Sequence, residues 1–453
     1  MSAPTQERRL GLLHATAINM TDMVGIGPFI TLPMVISIMN GPYFIYAWLA
    51  GAVLSFIDAM VWSELGAAFP LAGGSYNFLK ETYPKNKMGR LMSFLLVWQT
   101  MIQAPLVIAS AAIGFASYLQ YLVKLSPLQF KAVSGAVVVA VIALLFRKIE
   151  QIGRISVILW VAVIGTIAWI IGSGLWHGNF IEPVRHMNDG LTLSYGFVAA
   201  LGFASVKTVY SYLGYYNVCH LGGEIIDPSR NIPRSMFLSI LGIFVLYVCM
   251  NISVVSVIPW QEAMKSNYVI SLFMEQLYGP TAGKIVTCLI LLVAFASVFS
   301  ATLGYSRIPY AAALDGAFFK AFAYVHPTGK FPYVSLLALG SIAFVFSLLF
   351  RLSDVIDAVL AMRILVQFIG QAIGLLLLSN TKRKHFPYKM PLFPLPVIVA
   401  IIIWACILAS TGFKMLISGL IVIVLGIVAY GFKAWVEKKW PFELGNDVVK
   451  SKP

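Results

Sequence analysis

Twelve apolar runs, each close to the length that crosses a lipid bilayer, follow one another along this 453-residue chain. A membrane-spanning helix needs about 20 mainly apolar residues. Only 11% of the residues are charged, whereas soluble domains carry about a quarter, so the chain lacks the polar surface of a soluble protein. The sequence predicts an all-α integral membrane protein with twelve transmembrane helices. The predicted spans are 11–38, 42–66, 89–122, 131–146, 152–175, 191–220, 235–258, 281–306, 333–351, 355–379, 394–411 and 414–434.

Lysine and arginine are distributed unevenly between the two sides of the predicted bundle. An even number of spans puts both termini on one side, and that side collects 23 basic residues against 7 on the other. Because cytoplasmic loops carry an excess of Lys and Arg, both termini are predicted to be cytoplasmic. The net charge of +14 then faces the anionic lipid bilayer of the cell membrane, and no nucleic acid partner is expected.

Two of the predicted spans contain residues that interrupt helices. Span 1 carries Gly25-Ile26-Gly27-Pro28 near its middle, and span 6 carries Leu213-Gly214-Tyr215. Proline lacks an N–H and clashes with the preceding turn, while glycine tolerates non-helical backbone angles. Broken helices at matching positions in two halves are typical of transporters built from inverted repeats. The alternative, that these glycines only allow close helix packing, stays open.

An inverted repeat divides the chain into segments. The predicted segments are a cytoplasmic tail over 1–10, a first repeat over 11–175, a second repeat over 191–379, two further spans within 391–435 and a cytoplasmic tail over 436–453.

The two breaks carry complementary chemistry. A half-helix that begins inside the membrane exposes free N–H groups and the positive end of its dipole, which favour a carboxylate. We therefore expect a substrate carboxylate at the amides of Ile26, Gly27 and Phe29, beside Gly25. The half-helix before each break ends in free carbonyls, which suit an amine. The amine is expected at Asp22 and at the carbonyls of Val24 and of the segment 210–214, which is Tyr210, Ser211, Tyr212, Leu213 and Gly214.

Five ionisable residues are interpreted as lying within the membrane part of predicted spans. An ionised side chain there costs free energy, so each of these residues is a functional candidate by default. They are Asp22, Asp58, Glu64, Lys207 and Arg363. Asp22 stands one turn before the first break. It is expected either to bind a substrate amine or take up a proton, or else to cap a freed backbone group. Glu64 near the end of span 2 is expected to be solvated or capping. Arg363 begins a polar stripe with Gln367 and Gln371, which is more typical of a structural hydrogen-bond network than of a substrate contact.

No motif in the sequence indicates an enzyme. The zinc-protease, serine-hydrolase and nucleotide-binding patterns are missing from it, and no cofactor or metal ligand set is predicted. Uphill transport would then draw on an ion gradient or on exchange.

Three stretches, taken in order, carry a family resemblance. Residues 25–29 read Gly-Ile-Gly-Pro-Phe, residues 64–76 read Glu-Leu-Gly-Ala-Ala-Phe-Pro-Leu-Ala-Gly-Gly-Ser-Tyr, and residues 223–233 read Gly-Glu-Ile-Ile-Asp-Pro-Ser-Arg-Asn-Ile-Pro. They resemble the G-S-G-x-F, E-L-G-x-x-F-P-x-x-G-G-x-Y and G-E-x-x-x-P-x-R-N-I-P motifs of the amino acid-polyamine-organocation (APC) superfamily, and within it of the L-type-like amino acid permeases. The resemblance covers spans 1–10. It implies a LeuT-type fold of five plus five inverted spans with two added helices, transport of amino acids or related amines, and a gating role for Tyr210.

The sequence also departs from this family. The lysine that some members carry on span 5 is replaced, by our alignment, with Val157, so the usual coupling residue cannot be carried over. The Trp-Asn pair after the span 6 glycine becomes Tyr215-Tyr216. One hypothesis is that Asp22 and Lys207 together replace the missing lysine as coupling residues.

The sequence thus predicts a secondary active transporter that moves an amino acid across the cell membrane by alternating access, through proton-coupled symport or substrate exchange. A polyamine or cationic-amine carrier is one alternative, and a non-transporting amino-acid sensor is another. The particular substrate, the coupling ion and the state as a monomer or an oligomer stay open.

Overall fold

The structure is a computed structural model that describes residues 8, 10–71, 73–83, 88–146, 149–327, 331–378 and 380–436, without the side chains of 149–158, 160, 380 and 381. The predicted tails 1–10 and 436–453 lie almost entirely outside these residues. The described chain is helical, and its one β-bridge pairs Leu10 with Ile225. Helices dominate because the bilayer core offers no water to unpaired backbone groups, so each segment must satisfy its own.

The helices are labelled in chain order. The first half contains α1 (Leu12–Met23), α2 (Gly27–Met39), α3 (Ile45–Ala68), α4 (Ser75–Thr82), α5 (Met88–Leu119), α6 (Pro127–Leu145), α7 (Ile149–His177) and α8 (Ile181–Arg185). The second half contains α9 (Tyr195–Tyr212), α10 (Asn217–His220), α11 (Pro228–Val255), α12 (Trp260–Ala263), α13 (Val269–Tyr278), α14 (Pro280–Tyr305), α15 (Arg307–Leu314), α16 (Tyr333–Leu349), α17 (Leu352–Arg363), α18 (Gly370–Leu377), α19 (Asn380–Arg383), α20 (Leu395–Ser410) and α21 (Phe413–Val436). Short 3-10 turns lie at Pro42–Phe44, Gly222–Glu224 and Lys320–Ala323.

Each predicted span coincides with a helix, although the lengths differ. By length and composition, seven helical segments within the described residues can cross a membrane, and the bent pair α1 and α2 makes an eighth. Two predicted spans fall on shorter apolar helices, Tyr333–Leu349 and Leu395–Ser410, and a third falls on α7, whose side chains are described without a gap over Val161–His177. Span 6 is divided between α9 and α10. The protein is therefore an all-helical membrane protein with seven or eight clear apolar spans.

The first break separates α1 from α2 and bends the chain by 54°. The helix ends because Gly25 donates to the nearby Met23 carbonyl at 3.1 Å and because Pro28, in the first turn of α2, has no N–H. Proline is well suited to this first-turn position. The break predicted from the Gly-Ile-Gly-Pro sequence is confirmed.

The second break follows α9, and it crosses the first. Gly214 has a φ of +122°, and a Cβ there would lie 2.9 Å from both Asp22 Oδ2 and the Met23 nitrogen. Only glycine allows both this backbone angle and this close approach. Near the N-terminus, the Leu10 amide donates to Glu224 and the Leu10 carbonyl accepts from Ile226, both at 2.9 Å. The end of span 6 therefore lies beside the start of span 1. We call the side of the bundle that holds Leu10 and Ile226 the terminal face, and the opposite side the far face.

One tyrosine ties the two breaks together. The Tyr247 hydroxyl, on α11, lies 2.7 Å from the Met23 carbonyl and 3.1 Å from the Ser211 carbonyl. Both carbonyls belong to helix ends that lack their full set of intrahelical partners. The Asn19 side chain of α1 also accepts from the Val218 amide at 2.8 Å. Side chains thus replace the backbone bonds that the breaks remove.

A further irregularity lies between α17 and α18. Residues Ile364–Ile369 form a π-helical segment, which begins directly after Arg363. Such segments are rare and frequently occur at functional sites. The segment shifts the register of the helix, so the predicted stripe of Arg363, Gln367 and Gln371 does not share one uniform environment.

The tie between the breaks can be tested by stability. Tyr247→Phe removes the hydroxyl that lies between these two buried carbonyls, of which only the Ser211 carbonyl keeps no other described donor. We therefore expect the free energy of unfolding in detergent to fall by about 1–3 kcal/mol. Tyr212→Phe is the matched control, because the buried Tyr212 hydroxyl has no hydrogen-bond partner within the described chain. Thermal unfolding of both variants measures the difference. Equal stability of the two variants would show that Tyr247 does not hold the breaks together.

Candidate functional site

The two breaks enclose a cavity of about 190 Å³. It is lined by Thr21, Asp22, Met23, Val24, Gly25, Ile26, Gly27, Val107, Ala111, Leu159, Val163, Tyr210, Ser211, Leu213, Gly214, Tyr216, Ala296, Ser297, Ser300, Ala301, Tyr305 and Arg363. Of the residues predicted to bind the carboxylate or the amine or to couple transport, all but Phe29, Tyr212 and Lys207 line this cavity. Irregular backbone at membrane depth is tolerated where it lines such a cavity.

The cavity is reached from the terminal face. Thr21 and Asp22, between the first break and that face, are exposed, and so is Ser300 near the end of α14. Toward the far face, the half-buried Tyr210 shares a 2.6 Å hydrogen bond with Ser110 of α5. The far side is therefore closed by side chains while the terminal side is open.

The N–H groups at the first break are only partly free. The Ile26 amide donates to Ser297 Oγ at 3.0 Å, and the Phe29 amide donates to the Ile26 carbonyl at 3.1 Å. Phe29 is fully buried and lies off the cavity. The Gly27 amide has no hydrogen-bond partner among the described residues. Gly27 is thus the amide best placed for an anionic ligand, with Ser297 and Ile26 beside it.

The opposite side of the break presents acceptors. The Val24 carbonyl receives no hydrogen bond from any described residue, and the Asp22 carboxylate also makes none. The carbonyls of the second break are more occupied, since Leu213 donates to the Tyr210 carbonyl and Tyr247 donates to that of Ser211. Acceptors for an amine therefore concentrate at Asp22 and Val24.

Arg363 is a buried cation on the cavity wall. Its guanidinium donates to the hydroxyls of Tyr216 and Tyr305, and its Cζ lies 5.8 Å and 5.7 Å from the centres of those two rings. No described carboxylate lies within 4.0 Å of it. Such a cation in a membrane span is expensive unless an anion or a π-face compensates it. The sequence favoured a structural role for Arg363, and its position as the sole mid-span arginine was the signal for a site.

Beyond Arg363, a hydrogen bond of the expected structural network is seen at Gln367 but not at Gln371. Gln367 donates to Ser75 Oγ at 3.2 Å, and the buried Gln371 amide has no partner in the part of the chain that the structure describes.

Lys207 does not meet Asp22. Its ammonium lies 2.5 Å from Asp357 Oδ1 and 2.9 Å from Ser353 Oγ, both on α17. The expected pair of Asp22 and Lys207 is therefore wrong. The reason is geometric, because Lys207 lies on the far-face half of α9 whereas Asp22 lies on the terminal side of the break. Asp357 was not singled out in the sequence, although it lies two residues inside predicted span 10.

The two acids of span 2 are both buried and differ in their partners. Glu64 is paired with the Arg383 guanidinium and accepts from the Met390 amide at 2.8 Å. It is fully buried, so the expectation of a solvated Glu64 is wrong. Asp58 accepts from the Tyr215 hydroxyl at 2.5 Å and from Trp404 Nε1 at 2.8 Å. The position of Val157 gives no information on coupling, because its side chain lies outside those described.

Comparison with known proteins agrees with this architecture. The family model described as "Amino acid permease" matches residues 10–433. The chain belongs to this amino acid permease family. The family consists of transporters, so the protein is a membrane transport protein rather than an enzyme.

Individual relatives cover nearly the whole chain at low identity. The serine/threonine exchanger SteT of Bacillus subtilis is 25% identical, covering 94% of this chain and 97% of its own length. The large neutral amino acids transporter small subunit 2 of Mus musculus is 24% identical over 98% of this chain and 84% of its own. The human cystine/glutamate transporter is 24% identical over 98% and 89%. These relatives are named for different amino acids, which confirms the family resemblance without assigning a substrate.

The free amide of the first break can be tested with two substitutions. A Cβ at Gly27 would lie 3.5 Å from Tyr210 Cε1 and from Ser211 Oγ, an ordinary contact, so Gly27→Ala is expected to keep ligand affinity within about threefold. The two extra methyl groups of Gly27→Val enter the space beside the amide, and we expect affinity to fall by at least about tenfold. Binding of labelled amino acids to purified, monodisperse protein measures both. Near-normal affinity in the valine variant would contradict a ligand at this amide.

Proposed function

We propose that the protein is a secondary active transporter that moves an amino acid across the cell membrane by alternating access, through proton symport or exchange. The observation that carries the proposal is the cavity between two crossed helix breaks, where the free Gly27 amide faces the unpaired Asp22 and Val24 acceptors. A free donor on one side of the break and free acceptors on the other match in sign the two charged ends of an α-amino acid.

The proposed pose follows from the free groups. The substrate carboxylate accepts from the Gly27 amide, beside the Ile26 amide that Ser297 now holds, at the positive end of α2. The ammonium group meets the Asp22 carboxylate and the Val24 carbonyl at the end of α1. Gly25, Ser211, Leu213 and Gly214 supply the backbone surface around it.

The proposed topology has twelve spans and cytoplasmic termini. Spans 1–5 and 6–10 form the two repeats, over 11–175 and 191–379. With the termini inside, the terminal face is cytoplasmic, so the cavity of this conformer opens inward.

Two contacts close the outer side in this proposal. The buried ion pair of Lys207 and Asp357 joins α9 to α17, and the hydrogen bond of Tyr210 and Ser110 joins α9 to α5. Tyr210 is then the lid over the substrate, which excludes water during occlusion. Both contacts must open for a substrate to enter from outside.

Arg363 limits the substrate class. A second positive charge on the ligand would face this buried guanidinium, which disfavours the polyamine and cationic-amine alternative. The cavity is smaller than the roughly 300–1,000 Å³ of pockets for drug-sized ligands, so the substrate is a small amino acid that is neutral or acidic. The relative named as a serine/threonine exchanger fits this class, whereas the names large neutral amino acids and cystine refer to larger molecules.

Transport itself is tested in proteoliposomes. Labelled L-serine, L-leucine, L-glutamate and L-lysine are offered with and without unlabelled amino acid inside and with and without a pH gradient. We expect uptake of at least one neutral or acidic member above that of protein-free liposomes. Binding of these amino acids without any flux would instead indicate the sensor alternative.

The role of Arg363 is tested by competition. Arg363→Gln removes the positive charge but keeps donors for Tyr216 and Tyr305, so L-lysine should inhibit uptake about tenfold more strongly than in the wild type. Gln367→Leu, one turn farther along, is the control and should leave lysine inhibition unchanged. If lysine inhibits the wild type and Arg363→Gln equally, Arg363 does not select against cations.

A further inference from the structure

Asp58 is a buried carboxylate that substrate binding does not use. It is 1% exposed, lies on α3 and does not line the cavity. Both of its oxygens are occupied, since Oδ2 accepts from the Tyr215 hydroxyl at 2.5 Å and Oδ1 from Trp404 Nε1 at 2.8 Å. The Trp404 indole stacks on Phe368 at 4.1 Å, which fixes that donor.

No cation compensates Asp58 within 4.0 Å in the described structure. The helices packed against α3 include α9, α11, α18 and α20, and the last two carry no charged residue. Among the charged groups on these helices, Lys207 pairs with Asp357, Glu64 pairs with Arg383, and Arg230 and Arg234 are exposed. The tyrosines are Tyr46, which donates to Asn188, Tyr195, which is exposed, Tyr210, which is bonded to Ser110, Tyr212, which has no partner among the described residues, and Tyr247, which joins the breaks. In the turn beside Asp58, Tyr216 is bonded to Arg363. Cys249 of α11 is half-buried and Cys406 of α20 is exposed.

The ionised form of Asp58 therefore depends on two neutral donors. An unpaired charge in a low-dielectric interior costs several kcal/mol, and hydrogen bonds to the charged form offset part of that cost. Trp404 belongs to a regular helix, but Tyr215 belongs to the irregular turn between α9 and α10, next to Gly214. If that turn moves, the Tyr215 hydroxyl leaves and the carboxylate loses its shorter hydrogen bond.

We propose that Asp58 is the proton-binding site of the transporter and that Tyr215 couples its protonation to the position of the span 6 break. The proposal rests on the proposed transport function and adds the coupling ion to it. In the conformer described, Tyr215 donates to Asp58 and the site is ionised. In the opposite conformer the turn has moved, and Asp58 is protonated.

The direction of coupling follows from this difference. The outward-open conformer binds a proton more tightly, so Asp58 takes one from the external water as its carboxylate becomes a carboxylic acid. Conversion to the inward-open conformer brings Tyr215 back, and the same proton leaves to the cytoplasmic water. One proton thus enters with each substrate, which is symport, and protonation biases the two conformers as any differentially bound ligand does.

The central test uses proteoliposomes that contain the pH indicator pyranine. With the wild type, inward flux of labelled L-serine, or of whichever member of the panel above is carried fastest, should acidify the lumen. Asp58→Asn should keep exchange of that amino acid within about threefold of the wild type but lose both the acidification and the pH dependence of net uptake. Acidification that persists in Asp58→Asn would overturn the proposal, as would wild-type transport without proton movement.

Variants of the two donors test the geometry more finely. Tyr215→Phe and Trp404→Phe each remove one bond to the ionised form, so the proton is held more tightly and the midpoint of the pH profile of uptake should rise by about one pH unit, a tenfold change in proton affinity. Tyr212→Phe removes a nearby buried hydroxyl without a described partner, and its profile should match the wild type. Unchanged midpoints in both donor variants would contradict the role of these bonds.

Two arms separate this proposal from its competitors. Asp22→Asn should weaken substrate binding but leave the number of protons moved per substrate unchanged. Loss of proton movement only in Asp22→Asn would assign coupling to Asp22 instead.

An infrared difference spectrum between acid and neutral pH should contain the C=O band of a protonated carboxyl that Asp58→Asn lacks. This band requires no substrate, so its presence without transport would refute the proposed function alone, and its absence would refute the proton site.

Discussion

Backbone hydrogen bonding in a medium without water is the constraint on which the rest of this structure depends. A continuous helix satisfies it automatically, but two of the membrane segments are broken in the middle of the bundle. At each break the missing bonds are replaced by particular side chains. Ser297 accepts from the Ile26 amide, Tyr247 donates to the Met23 and Ser211 carbonyls, and Asn19 accepts from the Val218 amide. The groups left without a partner, above all the Gly27 amide, are those that face the cavity. A binding site arises here because the compensation is incomplete at one place.

The buried charges also need partners, and a buried charge without a partner costs more free energy than a neutral backbone group without one. Lys207 with Asp357 and Glu64 with Arg383 are closed pairs, and each connects two segments far apart in the sequence. Within the described residues, Arg363 and Asp58 have no counter-ion within 4.0 Å and are held by tyrosine and tryptophan groups instead. Closed pairs fix helices relative to one another, whereas a charge held only by neutral groups remains able to respond to an added anion or proton. The presence or absence of an ionic partner therefore distinguishes structural charges from candidate functional charges better than burial does.

The sequence predicted local features well and long-range pairings poorly. The breaks at Gly25–Pro28 and Gly214 could be predicted because glycine and proline act on their own backbone, and the apolar runs predicted the helices because hydropathy is additive along a segment. The pairing of Lys207 depends on the rotation of α9 against α17, a quantity that no pattern within either helix encodes. The different surroundings of Arg363 and Gln367 were not predicted, because the π-helical segment that follows Arg363 changes the register between them. Such a segment has no sequence signature of its own.

The ties between the two broken spans have a mechanical consequence. Leu10 is bonded on both sides to the segment after span 6, Asn19 binds the start of α10, and Tyr247 holds both breaks from α11. The terminal halves of spans 1 and 6 are thus fastened to each other at two heights, by Leu10 and Asn19, whereas Tyr247 ties the end of α1 to the end of α9. The two terminal halves are therefore expected to move together. In the proposed transport cycle, a state in which only one of the two terminal halves has opened is thereby disfavoured, and leakage through such a state is suppressed.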